Sequence, residues 1–103
     1  MGQIRRAKRV DLNHAEIRDN LRNNGYTVFD THDMGGGFPD LVVQSKTHIS
    51  ILVEIKRAGE ELTAKEVIFF NEWDFSPLEI FYSTEDALTK MKKWDERLIV
   101  WQN

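Results

Sequence analysis

Between Ile49 and Lys56 the chain reads Ile-Ser-Ile-Leu-Val-Glu-Ile-Lys. The run is rich in β-branched residues and suits a strand made for burial, yet it ends in a carboxylate and an ammonium. Side chains alternate along a strand, so Glu54 and Lys56 share one face and Ile55 takes the other. A chain built around such a strand must either solvate the pair on a sheet face or use it. Upstream, Gly37-Phe38-Pro39-Asp40 leads into a second apolar strand, Leu41-Val42-Val43. Pro39 interrupts backbone pairing and the three glycines Gly35 to Gly37 remove side-chain bulk, so Asp40 is expected at a strand mouth beside an open approach.

The other elements follow from local signals. A first helix is expected from Asp11 or Asn13 to Asn24, capped by Asn13, with Ile17 and Leu21 at helical spacing and Gly25 closing it. Strands are expected at Tyr26 to Phe29, Leu41 to Val43, Ile49 to Lys56 and Leu78 to Tyr82, with a turn at Ser45 to Thr47. Thr63 and Glu66 have capping-box spacing at the start of a second helix reaching about Trp73. Ser83 caps a third, with Glu85 and Asp86 in its first turn and Lys90, Lys92 and Lys93 near its end, matching the helix dipole. Leu98 to Trp101 reads as a last edge strand. The order αβββαβα(β) gives an α/β fold, a mixed central sheet flanked by helices, within the single domain that 103 residues allow.

Composition narrows the function classes. The chain has no cysteine, which excludes disulfides, thiolate zinc sites and a cysteine nucleophile. No apolar run is long enough to span a membrane and the start does not read as a signal peptide, so a cytoplasmic protein is expected. The net charge of −3, from 17 acids and 14 bases, argues against a nonspecific DNA-coating protein. Residues 1–10 nevertheless hold Arg5, Arg6, Lys8 and Arg9 with no acid. This basic arm, set apart from a domain over residues 11–103, is either a solvated tail or a phosphate-contacting segment.

Two carboxylates from adjacent strands, with a lysine beside one of them, suit divalent-metal phosphodiester chemistry. Magnesium takes hard oxygen ligands and keeps several waters, so Asp40 and Glu54 plus substrate oxygens suffice. Lys56 would orient a water or offset charge on the phosphate. Taken alone, E-x-K on a strand is usually a solvated ion pair; the Gly-rich lead-in and Pro39-Asp40 favour the metal site. Gly36 and Gly37 read as backbone clearance for DNA. His14, His32 and His48 lie on different elements without ligand spacing and are expected to be exposed or capping rather than zinc ligands. Phe69, Phe70 and Trp73 have core spacing, and Trp94 and Trp101 are candidates for a dimer contact.

Gly37-Phe38-Pro39-Asp40 with Glu54-Ile55-Lys56 resembles the signature of the PD-(D/E)xK nuclease superfamily, and more narrowly the small phage-type members of the VRR-NUC (virus-type replication-repair nuclease) family. The resemblance extends over about residues 10–90, through Val10-Asp11-Leu12-Asn13, Leu21-Arg22, Gly25, Val28, Leu62-Thr63, Glu66, Phe69, Trp73, Ser83 and Glu85 to Leu88. It implies a restriction-endonuclease-like αβββαβ core and Mg²⁺-dependent DNA cleavage, with Mn²⁺ able to substitute. By that resemblance Asp40, Glu54, the backbone carbonyl of Ile55 and an acid on the first helix, Glu16, hold metal, and Lys56 is the catalytic lysine. Glu16 stands three residues after Asn13, so a helix cap is its competing reading, as it is for Glu66, which the family often directs at the site. Many relatives have proline where this chain has Ala64. A homodimer is expected, because one small site cuts one strand. Phage or host replication, repair or packaging proteins are the expected partners. Against this stand a noncatalytic DNA-binding or assembly module that keeps the fold, and a small-molecule phosphoesterase, which would not need the basic arm.

Overall fold

A computed structural model describes the backbone of residues 2–97 and the side chains of residues 12–97. The described residues form α1 (Gly2–Asn23), β1 (Thr27–Asp30), β2 (Leu41–Gln44), β3 (Ser50–Ile55), α2 (Ala64–Glu72), β4 (Leu78–Phe81) and α3 (Thr84–Asp95). This is the expected αβββαβ order with a closing helix; the edge strand expected at Leu98 to Trp101 lies outside the described residues. The strands form one sheet in the order β1-β2-β3-β4. β1–β2 and β2–β3 are antiparallel, and β3–β4 is parallel across the α2 crossover.

The first helix differs from expectation. α1 starts at Gly2 and runs through Asn13 without a break, so Asn13 is not its cap and residues 2–10 continue the helix backbone. Its other end is as the sequence implies. Gly25, at φ +89°, sits in the left-handed region. Its N–H donates to the Arg22 carbonyl and that of Tyr26 to the Leu21 carbonyl, a Schellman closure.

Alternation along the strands sorts the two faces of the sheet. Leu41, Val43, Ile51, Val53 and Phe81 meet Ile17 and Leu21 of α1 and Ala87 and Met91 of α3 in the buried core. Trp94 packs against the same cluster, and its indole N–H donates to Glu79 at 2.8 Å. The opposite face is covered differently. α2 contains no buried residue. Phe69 stacks on Trp73 with centroids 5.0 Å apart and meets the edge of Phe38 at 5.3 Å. These aromatics thus form a satellite cluster linking α2 to the loop before Asp40, outside the main core. Both remaining caps stand as read. Thr63 and Glu66 make a complete capping box, and the Ser83 side chain accepts the Asp86 N–H.

Candidate metal centre

The register of β2 against β3 pairs Leu41 with Val53, and Asp40, one residue before β2, brings its carboxyl beside that of Glu54. Glu54 alternates with Val53 and Ile55, which face the main core, so its carboxyl, with that of Asp40 beside it, lies away from that core. Asp40 is fixed by its own backbone. Its N–H donates to the Val53 carbonyl at 2.9 Å and its carbonyl accepts the Thr31 N–H at 2.8 Å. Its Oδ2 accepts the Ile55 N–H at 2.8 Å, so the acid is held across the strand end rather than free in a turn. Ile55 is the last residue of β3, between Glu54 and Lys56.

Lys56 lies on the same face as Glu54, and both are buried. Its Nζ is 2.8 Å from Glu66 Oε1 and 3.9 Å from both Glu54 Oε2 and Glu60 Oε2. Glu66 also accepts the Thr63 N–H through the same Oε1, at 2.8 Å. The two readings of Glu66 are therefore not exclusive. The capping box fixes its rotamer, and that rotamer reaches the strand lysine.

The charge balance of the cluster is unusual. Burial pushes the Glu54 carboxyl up to about 10, with the Asp40 charge and hydrogen-bonding proximity to Glu66 and Asp40 adding to it. Its Oε1 is buried and has no hydrogen-bond partner among the described residues. For Lys56, burial acts to lower the ammonium pKa, but the bond to Glu66 and the surrounding acids outweigh it and hold the ammonium charged. Burial likewise acts to raise Glu66, and Lys56 and the Thr63 N–H reverse that, so its carboxyl titrates below its usual range. A buried acceptor without a donor and three converging carboxyls are short of positive charge, and the donor set is all oxygen. The residues present fit a hard divalent cation.

Glu16 is not brought to this cluster. It is exposed on α1, one position before Ile17, whose side chain enters the core on the opposite face of the sheet. The third carboxyl comes from Glu66 of α2 instead. Arg5, Arg6, Lys8 and Arg9 fall on α1 where side chains are not described.

The glycines divide the same way. A Cβ on Gly36 would meet nothing within 4 Å, whereas one on Gly37 would lie 2.6 Å from the Lys65 carbonyl oxygen. The absent side chain of Gly37 serves the entry of α2, not only access. Both glycines have positive φ. Gly36→Ala is expected to cost about 1 kcal/mol, the left-handed penalty alone. Gly37→Ala adds a backbone clash and is expected to cost at least about 2 kcal/mol, a difference that urea unfolding of the two variants measures.

Sequence spacing gave no sign of a second grouping. His14 of α1, Asp30 at the end of β1 and His32 beyond it converge. Asp30 accepts from Arg18 Nη1 at 2.9 Å and lies 2.7 Å from His32 Nδ1 and 3.1 Å from His14 Nε2. Burial acts to raise the Asp30 carboxyl, but the bonds from His32, Arg18 and His14 overcome it and hold it well below the usual carboxylate range. His14 is thus buried and paired, neither exposed nor capping; His48 sits in the β2–β3 turn at φ 71°.

No family model, no curated protein and no solved structure matches this chain.

Proposed function

We propose that this chain is a metal-dependent DNA endonuclease of the PD-(D/E)xK class, as its resemblance to the VRR-NUC family implies. One observation carries the reading: Glu54, Glu60 and Glu66 surround the buried Lys56, Asp40 lies against Glu54, and the buried Glu54 Oε1 has no hydrogen-bond partner among the described residues. A purely structural ion pair has no use for three acids around one base. Asp40, Glu54 and the Ile55 carbonyl would hold Mg²⁺ or Mn²⁺. Such an ion, when bound, polarises the phosphoryl oxygen and lowers the pKa of a coordinated water.

The remaining work falls to the chain itself. Lys56, kept protonated by Glu66, supplies fixed positive charge where negative charge grows on the phosphate and is not the base. Glu66 orients the ammonium, and the capping box removes the rotamer freedom that would otherwise blur it. The clear space over Gly36 lets a nucleic-acid backbone approach the strand ends. Arg5, Arg6, Lys8 and Arg9 would add salt-sensitive phosphate affinity without reading sequence, so cleavage is directed by backbone or branched structure. A homodimer would supply the second site that double-strand or junction cleavage needs. Among the described residues no helix is long and apolar enough to cross a membrane. We place the activity in the bacterial cytoplasm, in phage or host replication, repair or packaging.

Incubation with supercoiled plasmid and with branched DNA, in Mg²⁺, Mn²⁺ or chelator, tests this. Metal-dependent nicking that disappears in folded Asp40→Ala protein is the expected result. DNA bound but uncut under every condition would favour the noncatalytic module. Turnover of a small phosphodiester with DNA left intact would favour a small-molecule phosphoesterase.

A further inference from the structure

We propose that His14, Asp30 and His32 form a second metal site, selective for a borderline transition-metal ion of the Zn²⁺ class and separate from the carboxylate centre. Three ligand atoms from three different segments lie within 4.8 Å of one another. His14 Nε2 is 3.2 Å from Asp30 Oδ1, and His32 Nδ1 is 2.7 Å from the same oxygen. The two imidazole rings stand 4.8 Å apart, tilted by 58°. A tetrahedral zinc ion with ligands at about 2.0–2.1 Å needs ligand atoms about 3.3 Å apart. The two nitrogen-to-Oδ1 distances, 3.2 and 2.7 Å, lie near that spacing.

The surroundings supply what metal-binding imidazoles and carboxylates require. The far nitrogen of His32, Nε2, lies 3.1 Å from Asp33 Oδ1, a carboxylate–histidine arrangement that fixes the ring and leaves Nδ1 directed inward. Arg18 Nη1 donates to Asp30 Oδ2 at 2.9 Å, so one carboxylate oxygen is held and Oδ1 faces both imidazoles. Two nitrogens and one oxygen with an open fourth position suit zinc, cobalt or nickel. The all-oxygen set of Asp40, Glu54 and Glu66 suits magnesium or manganese. Donor chemistry thus assigns different ions to the two centres, and the second does not depend on the nuclease reading.

The location gives the ion a structural task. Asp30 pairs with Leu41 in the sheet. The next residue, Thr31, donates its N–H to the Asp40 carbonyl and its hydroxyl to the Pro39 carbonyl, both at 2.8 Å. An ion on His14, Asp30 and His32 would tie α1 to the strand end that holds Asp40.

Equilibrium dialysis of the full, untagged chain against Zn²⁺ in excess Mg²⁺ tests the site, with Co²⁺ as a spectroscopic probe. One Zn²⁺ per chain at micromolar concentrations and visible d–d bands from a four-coordinate Co²⁺ complex are the expected results. His14→Ala should weaken Zn²⁺ binding at least about tenfold. His32→Gln should do the same from a half-exposed loop position where folding is not at stake. Glu66→Gln should leave Zn²⁺ affinity unchanged. The proposal is overturned if wild-type protein takes up no Zn²⁺, if His32→Gln binds it as tightly, or if Glu66→Gln loses it.

Discussion

Lys56→Met is expected to reduce metal-dependent nicking of supercoiled DNA by at least about a hundredfold and, in chelator, to destabilise the fold by about 3 kcal/mol. Methionine keeps the length and apolar stem of the lysine, so packing against the sheet face is largely retained. What disappears is the one cation, among the described residues, that Glu54, Glu60 and Glu66 share, 2.8–3.9 Å from its Nζ. Removing one member of a buried pair leaves the others desolvated and uncompensated. A double variant separates the two effects. Lys56→Met with Glu66→Gln should recover part of the lost stability, because the amide keeps the Thr63 cap without the charge, yet recover no activity. Nicking within about fivefold of wild type in the single variant, measured on protein of native circular dichroism, would remove Lys56 from the chemistry.

Much of this arrangement is written in local pattern, and the rest fails to be for identifiable reasons. The apolar strand ending in Glu54-Ile55-Lys56 and the Pro39-Asp40 lead-in are legible because strand alternation is a local rule. That Asp40 lies beside Glu54 is not, since it depends on a register of Leu41 with Val53 that only tertiary packing fixes. The start of α1 is misread for a similar reason. Asn13 is a good cap in isolation, but Gln3, Arg5, Arg6, Ala7, Lys8 and Arg9 are strong helix formers and carry the helix back to Gly2. Glu66 presents itself as either cap or site residue, and one oxygen performs both tasks. His14, Asp30 and His32 are invisible to spacing rules, which see only neighbours on one helix or strand. Here α1, β1 and a loop each supply one group. The aromatic spacing of Phe69 and Trp73 is helical as read, but their partner is Phe38 of the loop, so the cluster flanks the site instead of filling the main core.

Glu54→Gln is expected to do the opposite of a usual buried substitution: to stabilise the metal-free protein by about 1–3 kcal/mol at neutral pH while abolishing metal-dependent cleavage. The Glu54 carboxyl is buried against two others, with Oε1 unpartnered among the described residues, and its pKa is pushed up to about 10 by burial first and then by Asp40 and Glu66. An acid whose folded pKa exceeds its unfolded value binds a proton on folding. Its contribution is therefore complete below the unfolded pKa near 4.5 and is lost as pH rises toward 10. Wild-type stability in chelator should accordingly fall between about pH 5 and pH 9, and Glu54→Gln, which cannot ionise and can donate to Asp40 or Glu66, should flatten that slope. Mg²⁺ should reverse the ranking, because it stabilises only a protein that can bind it. Urea unfolding at several pH values, with and without Mg²⁺, reads all three effects. A Glu54→Gln protein less stable than wild type in chelator would mean that the carboxyl is satisfied where it stands and serves packing. A crossing of the two stability orders on adding Mg²⁺ would mean that the fold tolerates a misfit acid because an ion completes it.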